Sequence, residues 1–199
     1  MDDFILEIPN AFPNGLCETI IGRFENDNRK IPKNVAIGNK VIKLNSTNIT
    51  AVDISLLSGW EDITNIIVSY VSKYIATYMS HLKTKFEKEQ EIHTLEPFIT
   101  SKSINLEPFG VHKISKGGHY AWHNDGDIYN GAAFCQYIIY LNDLNENDGG
   151  CTEFINGKKI IPTRGKILIF PRSWTFPHRG CEVHGKSKYI IAGYISLSL

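Results

Sequence analysis

From about Leu106 onward the chain breaks into short apolar runs punctuated by turn residues, and this pattern limits the fold more than any other feature. The strand-like runs are 108–115, 119–124, 133–141, 151–155, 158–161, 166–170, 174–178 and 187–197. They are rich in Ile, Tyr and Phe, which suit a pleated, half-buried surface. Between them stand Gly117-Gly118, the polar stretch Asn142 to Gly150, Asn156-Gly157, Arg164-Gly165 and His184-Gly185, residues that supply the backbone of turns. Short strands at this spacing point to a sandwich or barrel of the jelly-roll kind.

The first hundred residues read differently. Pro13 stands near a helix start, and Leu16, Ile20, Ile21 and Phe24 then share one face. A longer pattern follows, with Ile63, Ile66, Ile67, Tyr70, Val71, Tyr74, Ile75, Tyr78 and Leu82 at three-four spacing. A helix with one such stripe has to cover an apolar surface, and the sheet is the surface available. The polar continuation KTKFEKEQE looks solvated, and residues 29–59 carry no clear pattern. Helices first and strands later give an α+β class. The expectation is one domain over 1–199, with a helical layer and connecting segments over 1–100 and a jelly-roll core over 101–199.

With 42% hydrophobic residues the chain can bury a core without staples. Acidic and basic residues balance at 21 each, so no global basic excess argues for nucleic acid. No apolar run reaches the length of a membrane span, and the acidic start MDDFILEIPN lacks a secretory n-region. A cytoplasmic protein is expected. Cys17, Cys135, Cys151 and Cys181 form no Cys-x-x-Cys pair, which predicts reduced, mostly buried thiols rather than a zinc knuckle.

The sharpest chemical feature is Trp122-His123-Asn124-Asp125. Residues two apart in an extended segment share a side, so His123 and Asp125 can offer a nitrogen and an oxygen to one ion. A distant histidine brought back by the barrel would complete a two-His, one-carboxylate face, which leaves positions open on iron. His178 and His184 are the candidates. The sequence PHRGCEVHGKSKYIIAGY reads as a hairpin turning near residues 181–186, with His178 and Lys188 facing each other across it and His184 exposed at the turn. That geometry favours His178. His112 and His119 flank the Gly117-Gly118 turn and are candidates for substrate contact, whereas His81 and His93 read as surface residues. On pattern alone Lys188 is either a solvated strand lysine or a counter-charge, and Tyr140 reads as a core tyrosine.

Residues 110–194 resemble the prolyl 4-hydroxylase-like branch of the Fe(II)/2-oxoglutarate dioxygenases. The resemblance rests on ordered blocks: GGHYAWHNDG, IIYLND followed by GGCTEF, IPTRGKILIF, and HRGCEVHGKSKY. It implies a double-stranded β-helix, with His123, Asp125 and His178 as catalytic iron ligands. It implies Lys188 as the anchor of the far carboxylate of 2-oxoglutarate, with Tyr140 nearby. The implied cofactors are Fe(II) and 2-oxoglutarate, with ascorbate as a further candidate. O2 is the co-reactant, and the substrate would be a peptidyl proline in a peptide or protein. Another residue, a free amino acid or a small metabolite stands as the alternative, and a non-catalytic metal-binding jelly roll or a cupin-like enzyme without 2-oxoglutarate as the others. The chain departs from the family pattern in three places. HKIS stands where a tyrosine is common in the first core strand, GDIYNGAAF after Asp125 has no arginine, and Tyr194 stands where tryptophan is common. Gly126 and Gly131 would permit a lid over 126–132, and 29–59 is a second lid candidate.

Overall fold

The computed structural model describes residues 2–33, 35–37, 40–42, 48–86, 104–125 and 133–197. His93, the polar continuation beyond residue 86 and the lid candidate 126–132 lie outside the described residues. Two helices, α1 (Asn14–Asn26) and α2 (Glu61–Phe86), accompany fourteen strands among the described residues. The strands are β1 (Leu6–Ile8), β2 (Ile31–Pro32), β3 (Val35–Ile37), β4 (Lys40–Ile42), β5 (Ile49–Val52), β6 (Ile104–Leu106), β7 (Gly110–Ile114), β8 (Tyr120–His123), β9 (Ala133–Tyr140), β10 (Thr152–Phe154), β11 (Lys159–Ile160), β12 (Ile167–Pro171), β13 (His178–Gly180) and β14 (Lys188–Leu197).

The strands form a major sheet ordered β1-β12-β9-β14-β7-β5-β2, with β6 also on β14, and a minor sheet ordered β11-β10-β13-β8. The pairings of these strands are antiparallel. This is the jelly roll expected from the turn-rich second half, in the double-stranded β-helix form that the resemblance implies. The first half also contributes strands. β1 pairs with β12 and β5 with β7, so the N-terminal segment and part of 29–59 extend the major sheet at both sides.

Both helices form where the apolar spacing placed them. Pro13 is the N-cap of α1, its fixed φ opening the helix, and Cys17, Ile20 and Phe24 are buried. On α2 the buried row is Ile63, Ile67, Val71, Ile75, Tyr78 and Leu82. Ile66 belongs to the expected stripe yet is 40% exposed, because the row that meets the sheet is narrower than the apolar pattern. This layer packs with the outward side of the major sheet: Cys135, Tyr137, Ile139, Ile191 and Ile195 join the helices in one core. The opposite side of the same strands carries Ile138, Tyr140 and Ile190, which pack with Phe154 and Val183 from the minor-sheet side.

Three expectations need correction. The strand expected at 174–178 starts only at His178. Ser173 to Thr175 form a turn, with Phe176 N–H donating to the Ser173 carbonyl at 3.1 Å. Turn-forming hydroxyls and Pro177, which has no N–H for a ladder, stop the strand short. The hairpin joining His178 to Lys188 does not form: β13 pairs with β8 and β10, and β14 with β7, β9 and β6. Residues 181–187 instead cross between the sheets, pinned by Asp148, whose carbonyl accepts from His184 N–H at 2.8 Å and whose Oδ1 accepts from Lys186 N–H at 3.1 Å. Finally, Cys151 and Cys181 are paired as a disulfide, with Cα atoms 5.1 Å apart, whereas Cys17 and Cys135 are free and buried. A separation of 30 residues hid the pair in the sequence; the antiparallel β10–β13 pairing brings them together. No described helix is long and apolar enough to cross a membrane.

Candidate active site

β8 and β13 run side by side, and their register shifts between His178↔His123 and Gly180↔Tyr120. That irregularity puts an extra residue on β8, so Tyr120 and His123 are both drawn in while Ala121 and Trp122 are exposed. The rings of His123 and His178 lie 4.4 Å apart, centre to centre. Asp125 meets both, with Oδ1 3.7 Å from His123 Nε2 and Oδ2 3.3 Å from His178 Nε2. The ligand atoms these three residues offer all lie within 4.8 Å of one another. His178 and the Asp125 carboxylate are buried, whereas 35% of the His123 side chain is exposed, so the set opens on the His123 side.

Each imidazole is oriented by the backbone behind it. His123 Nδ1 lies 2.7 Å from the Ala121 carbonyl, and His178 Nδ1 lies 3.1 Å from the Phe176 carbonyl. A carbonyl can only accept, so both Nδ1 atoms carry hydrogen and both Nε2 lone pairs turn toward Asp125. Burial, with His123 adding to it, pushes the His178 pKa below its ordinary value against the pull of Asp125, which keeps that ring neutral. Asp125 Oδ2 is buried with no hydrogen-bond partner among the described residues. Facing lone pairs of this kind repel unless a cation lies among them, and two nitrogens with one carboxylate suit a divalent first-row ion such as iron. The residues fit the metal.

Sequence reasoning missed the groups that hold Asp125. Tyr194 Oη–H donates to Asp125 Oδ1 at 3.0 Å. Arg172 Nε–H donates to the Asp125 carbonyl at 2.6 Å, while its Nη1 binds both Glu107 carboxylate oxygens at 2.9 and 3.0 Å. The guanidinium also stacks 4.0 Å over the Tyr194 ring. Support of this kind fixes a ligand's direction and its basicity. Only Tyr194 left a mark in the sequence, as a replaced tryptophan. Arg172 carried none, because it sits beyond β12 and reaches Asp125 through space.

Lys188, the first residue of β14, is buried in the barrel interior. Its Nζ donates to the Gly150 carbonyl at 2.7 Å and lies 5.4 Å over the Tyr140 ring. Tyr140 Oη in turn shares a 2.8 Å hydrogen bond with Thr152 Oγ1 across the two sheets. Burial pulls the Lys188 pKa down to about 7 and pushes the Tyr140 pKa up. The sequence between these residues explains their placing. Asn142 Nδ2 donates to the Ser187 carbonyl and Tyr189 N–H donates to Asn142 Oδ1, at 2.9 and 2.8 Å, so one amide brackets Lys188. Gly150 has φ +70°, and a Cβ there would come within 2.8 Å of Leu144, so only glycine lets its carbonyl meet the lysine. A single ammonium with two hydroxyls nearby is a site for a carboxylate.

The remaining histidines divide. His112 is buried in the barrel, its Nδ1 3.0 Å from Tyr120 Oη, and burial pulls its pKa down to about 3. His119 lies at the exposed turn with Nδ1 3.5 Å from the Gly117 carbonyl, and His184 is exposed beside Glu182. His81 Nε2 lies 2.8 Å from the Asp3 carbonyl on the far, helical side.

Residues 109–196 match the family model described as the 2OG-Fe(II) oxygenase superfamily. Over that stretch the chain is similar to that superfamily. The match spans both sheets' site-bearing strands, from β7 to β14, and so contains every candidate ligand of the metal and of the co-substrate. No curated protein matches the chain in sequence. Among solved structures the chain is similar to the viral collagen prolyl hydroxylase of Paramecium Bursaria Chlorella virus-1, at 17% identity and TM-score 0.62, covering 98% of this chain and 97% of that one. It is similar to a Trichoplax adhaerens prolyl hydroxylase solved with a hypoxia inducible factor peptide, at 14% identity and TM-score 0.70, covering 98% and 84%. A Pseudomonas putida prolyl-4-hydroxylase aligns at 16% identity and TM-score 0.57, covering 98% and 94%. At these identities the likeness is one of fold.

Proposed function

We propose that this Fe(II)- and 2-oxoglutarate-dependent dioxygenase hydroxylates a prolyl residue of a peptide or protein. His123, Asp125 and His178 hold the iron, and Lys188 with Tyr140 and Thr152 holds the far carboxylate of 2-oxoglutarate. The observation that carries the reading is the convergence of His123 Nε2, His178 Nε2 and Asp125 in one set, with both Nδ1 atoms engaged by carbonyls. The prolyl assignment is supported by the names of the structural neighbours, two of which are collagen and hypoxia-factor-peptide prolyl hydroxylases.

Bound iron and 2-oxoglutarate together supply O2 activation and oxidation of a substrate C–H bond, with succinate and CO2 as co-products. The protein's own part is positional. The Ala121 and Phe176 carbonyls hold the imidazoles with Nε2 forward, and Tyr194 and Arg172 hold Asp125. Lys188 neutralises the carboxylate while still donating to Gly150, and the apolar wall of Phe154, Phe170 and Ile190 keeps water from the cavity. The test is anaerobic binding of Fe(II) and 2-oxoglutarate, then succinate release in air with proline-centred peptide pools, for wild type and His178→Ala. Binding of both with peptide-stimulated succinate release, lost in the variant, is the expected result. Metal binding without 2-oxoglutarate binding would reject the oxygenase role of the site, and stimulation only by pools lacking proline would reject the prolyl substrate.

A further inference from the structure

Gln136 is 5% exposed, and its Oε1 is buried with no hydrogen-bond partner among the described residues. It stands on β9 in the same alternation as Ile138 and Tyr140, so its side chain is on the barrel side of the major sheet. Its direct cross-strand neighbours are Phe170 on β12 and Tyr194 on β14. These are two residues that touch the candidate ligands: the Phe170 ring lies 4.8 Å from the His178 ring, and Tyr194 binds Asp125. Gln136 therefore stands beside the metal site in the barrel interior. It is four residues from Tyr140, about 13 Å along an extended strand, whereas Tyr140 lies beside Lys188 at the co-substrate end.

We infer that the Gln136 carboxamide is a substrate-recognition element of this oxygenase, its Oε1 accepting a backbone N–H of a peptidyl substrate on the opposite side of the metal site from Lys188. The inference rests on the peptidyl reading given under Proposed function. A methionine or leucine would fill the position without leaving an unpaired polar atom in a dry wall, so the amide serves something that arrives. The group is uncharged and both accepts and donates, which matches a peptide unit rather than a carboxylate or an ammonium. A proline nitrogen has no hydrogen, so the N–H comes from a residue flanking the target.

The experiment compares the full chain with Gln136→Met, a change that conserves length and removes the amide. Thermal melting without ligands, anaerobic Fe(II) and 2-oxoglutarate binding, and peptide-stimulated succinate release are measured on both. The variant is expected to melt no lower than wild type and to bind Fe(II) and 2-oxoglutarate within about twofold of it. On the proline-centred pool that stimulates wild type best, kcat/KM is expected to fall roughly tenfold or more, chiefly through KM. A melting temperature several degrees lower would mean the amide is structural and would overturn the inference, as would an unchanged kcat/KM. If no proline pool stimulates wild type although iron and 2-oxoglutarate bind, the prolyl substrate is rejected. Pools lacking proline then decide Gln136, where equal stimulation of both proteins overturns its role and loss in the variant supports it.

Discussion

Along β9, Cys135, Tyr137 and Ile139 belong to the helix-backed core, whereas Ile138 and Tyr140, with Gln136 in the same alternation, line the barrel. The neighbouring β14 repeats the contrast, with Ile191 and Ile195 on the helical side and Lys188, Ile190 and Tyr194 on the other. On the helical side close packing decides what fits. Gly193 is an example, since a Cβ there would come within 2.4 Å of Tyr137 Oη. On the barrel side the same strands tolerate a lysine and a glutamine in a buried interior, at a cost to the empty protein. The difference teaches that one sheet separates stability from chemistry, and substitutions on its two sides should fail in different ways.

The largest effect is expected at the metal. His178→Ala should weaken Fe(II) binding by more than about 100-fold, beyond the range of losses seen for outer partners, and abolish turnover. The melting point of the metal-free protein should barely change, and isothermal titration together with melting checks both halves. If the metal-free variant instead unfolds, the division between the two sides is broken.

Lys188→Met should come next. Losing the cation that pairs a buried carboxylate should raise the dissociation constant for 2-oxoglutarate roughly 100-fold, while the ligand-free protein becomes more stable because a buried ammonium is gone. The pH dependence of the wild type sharpens this. The folded pKa of Lys188, about 7, lies below its unfolded value of 10.5, so the unfolded chain binds more protons between those limits. The lysine's destabilisation of the ligand-free protein is therefore complete below pH 7 and fades as pH rises toward 10.5. Because 2-oxoglutarate needs the charged form, its binding at pH 8 should take up a proton. Calorimetry in buffers of different ionisation enthalpy reads that uptake, which should vanish in Lys188→Met.

On the helical side, Ile67→Ala should cost about 2–5 kcal/mol of folding stability and leave the affinities for iron and 2-oxoglutarate unchanged, measured by denaturant melts and titration. Tyr194→Phe, back in the barrel, should do the reverse: Fe(II) affinity falls roughly tenfold with little change in melting, since only the hydroxyl on Asp125 is removed. The smallest effect belongs to Ile66→Ala, within about 0.5 kcal/mol, because that side chain points away from the sheet.

Much of the barrel was legible because strand ends coincide with turn residues and because His123 and Asp125 are neighbours in sequence. The pairing of strands was not. The stretch from Pro177 to Tyr194 has the local look of a hairpin, yet Asp148 captures its middle and sends its two halves to different sheets. His178 and Lys188 are both buried in the barrel, though on facing sheets rather than adjacent strands. The bulge on β8 that brings Tyr120 and His123 to the same side left no sequence signal either. Arg172 and Glu107 are 65 residues apart and meet only after the sheet closes. Gln136 carries no distinguishing sequence signal, and its significance depends on knowing that nothing described satisfies its Oε1.

The central claim is that one set of two histidines and one aspartate, with Lys188 at the far end of the cavity, binds Fe(II) and 2-oxoglutarate together. The most direct measurement is an anaerobic titration of the Fe(II)-loaded protein with 2-oxoglutarate, followed by the visible charge-transfer absorption that a keto acid chelated to ferrous iron produces. The account predicts a saturable band in wild type, no band in His178→Ala, and a band in Lys188→Met only at far higher 2-oxoglutarate. Iron binding with no such band in the wild type, or a band of equal affinity in Lys188→Met, would contradict it.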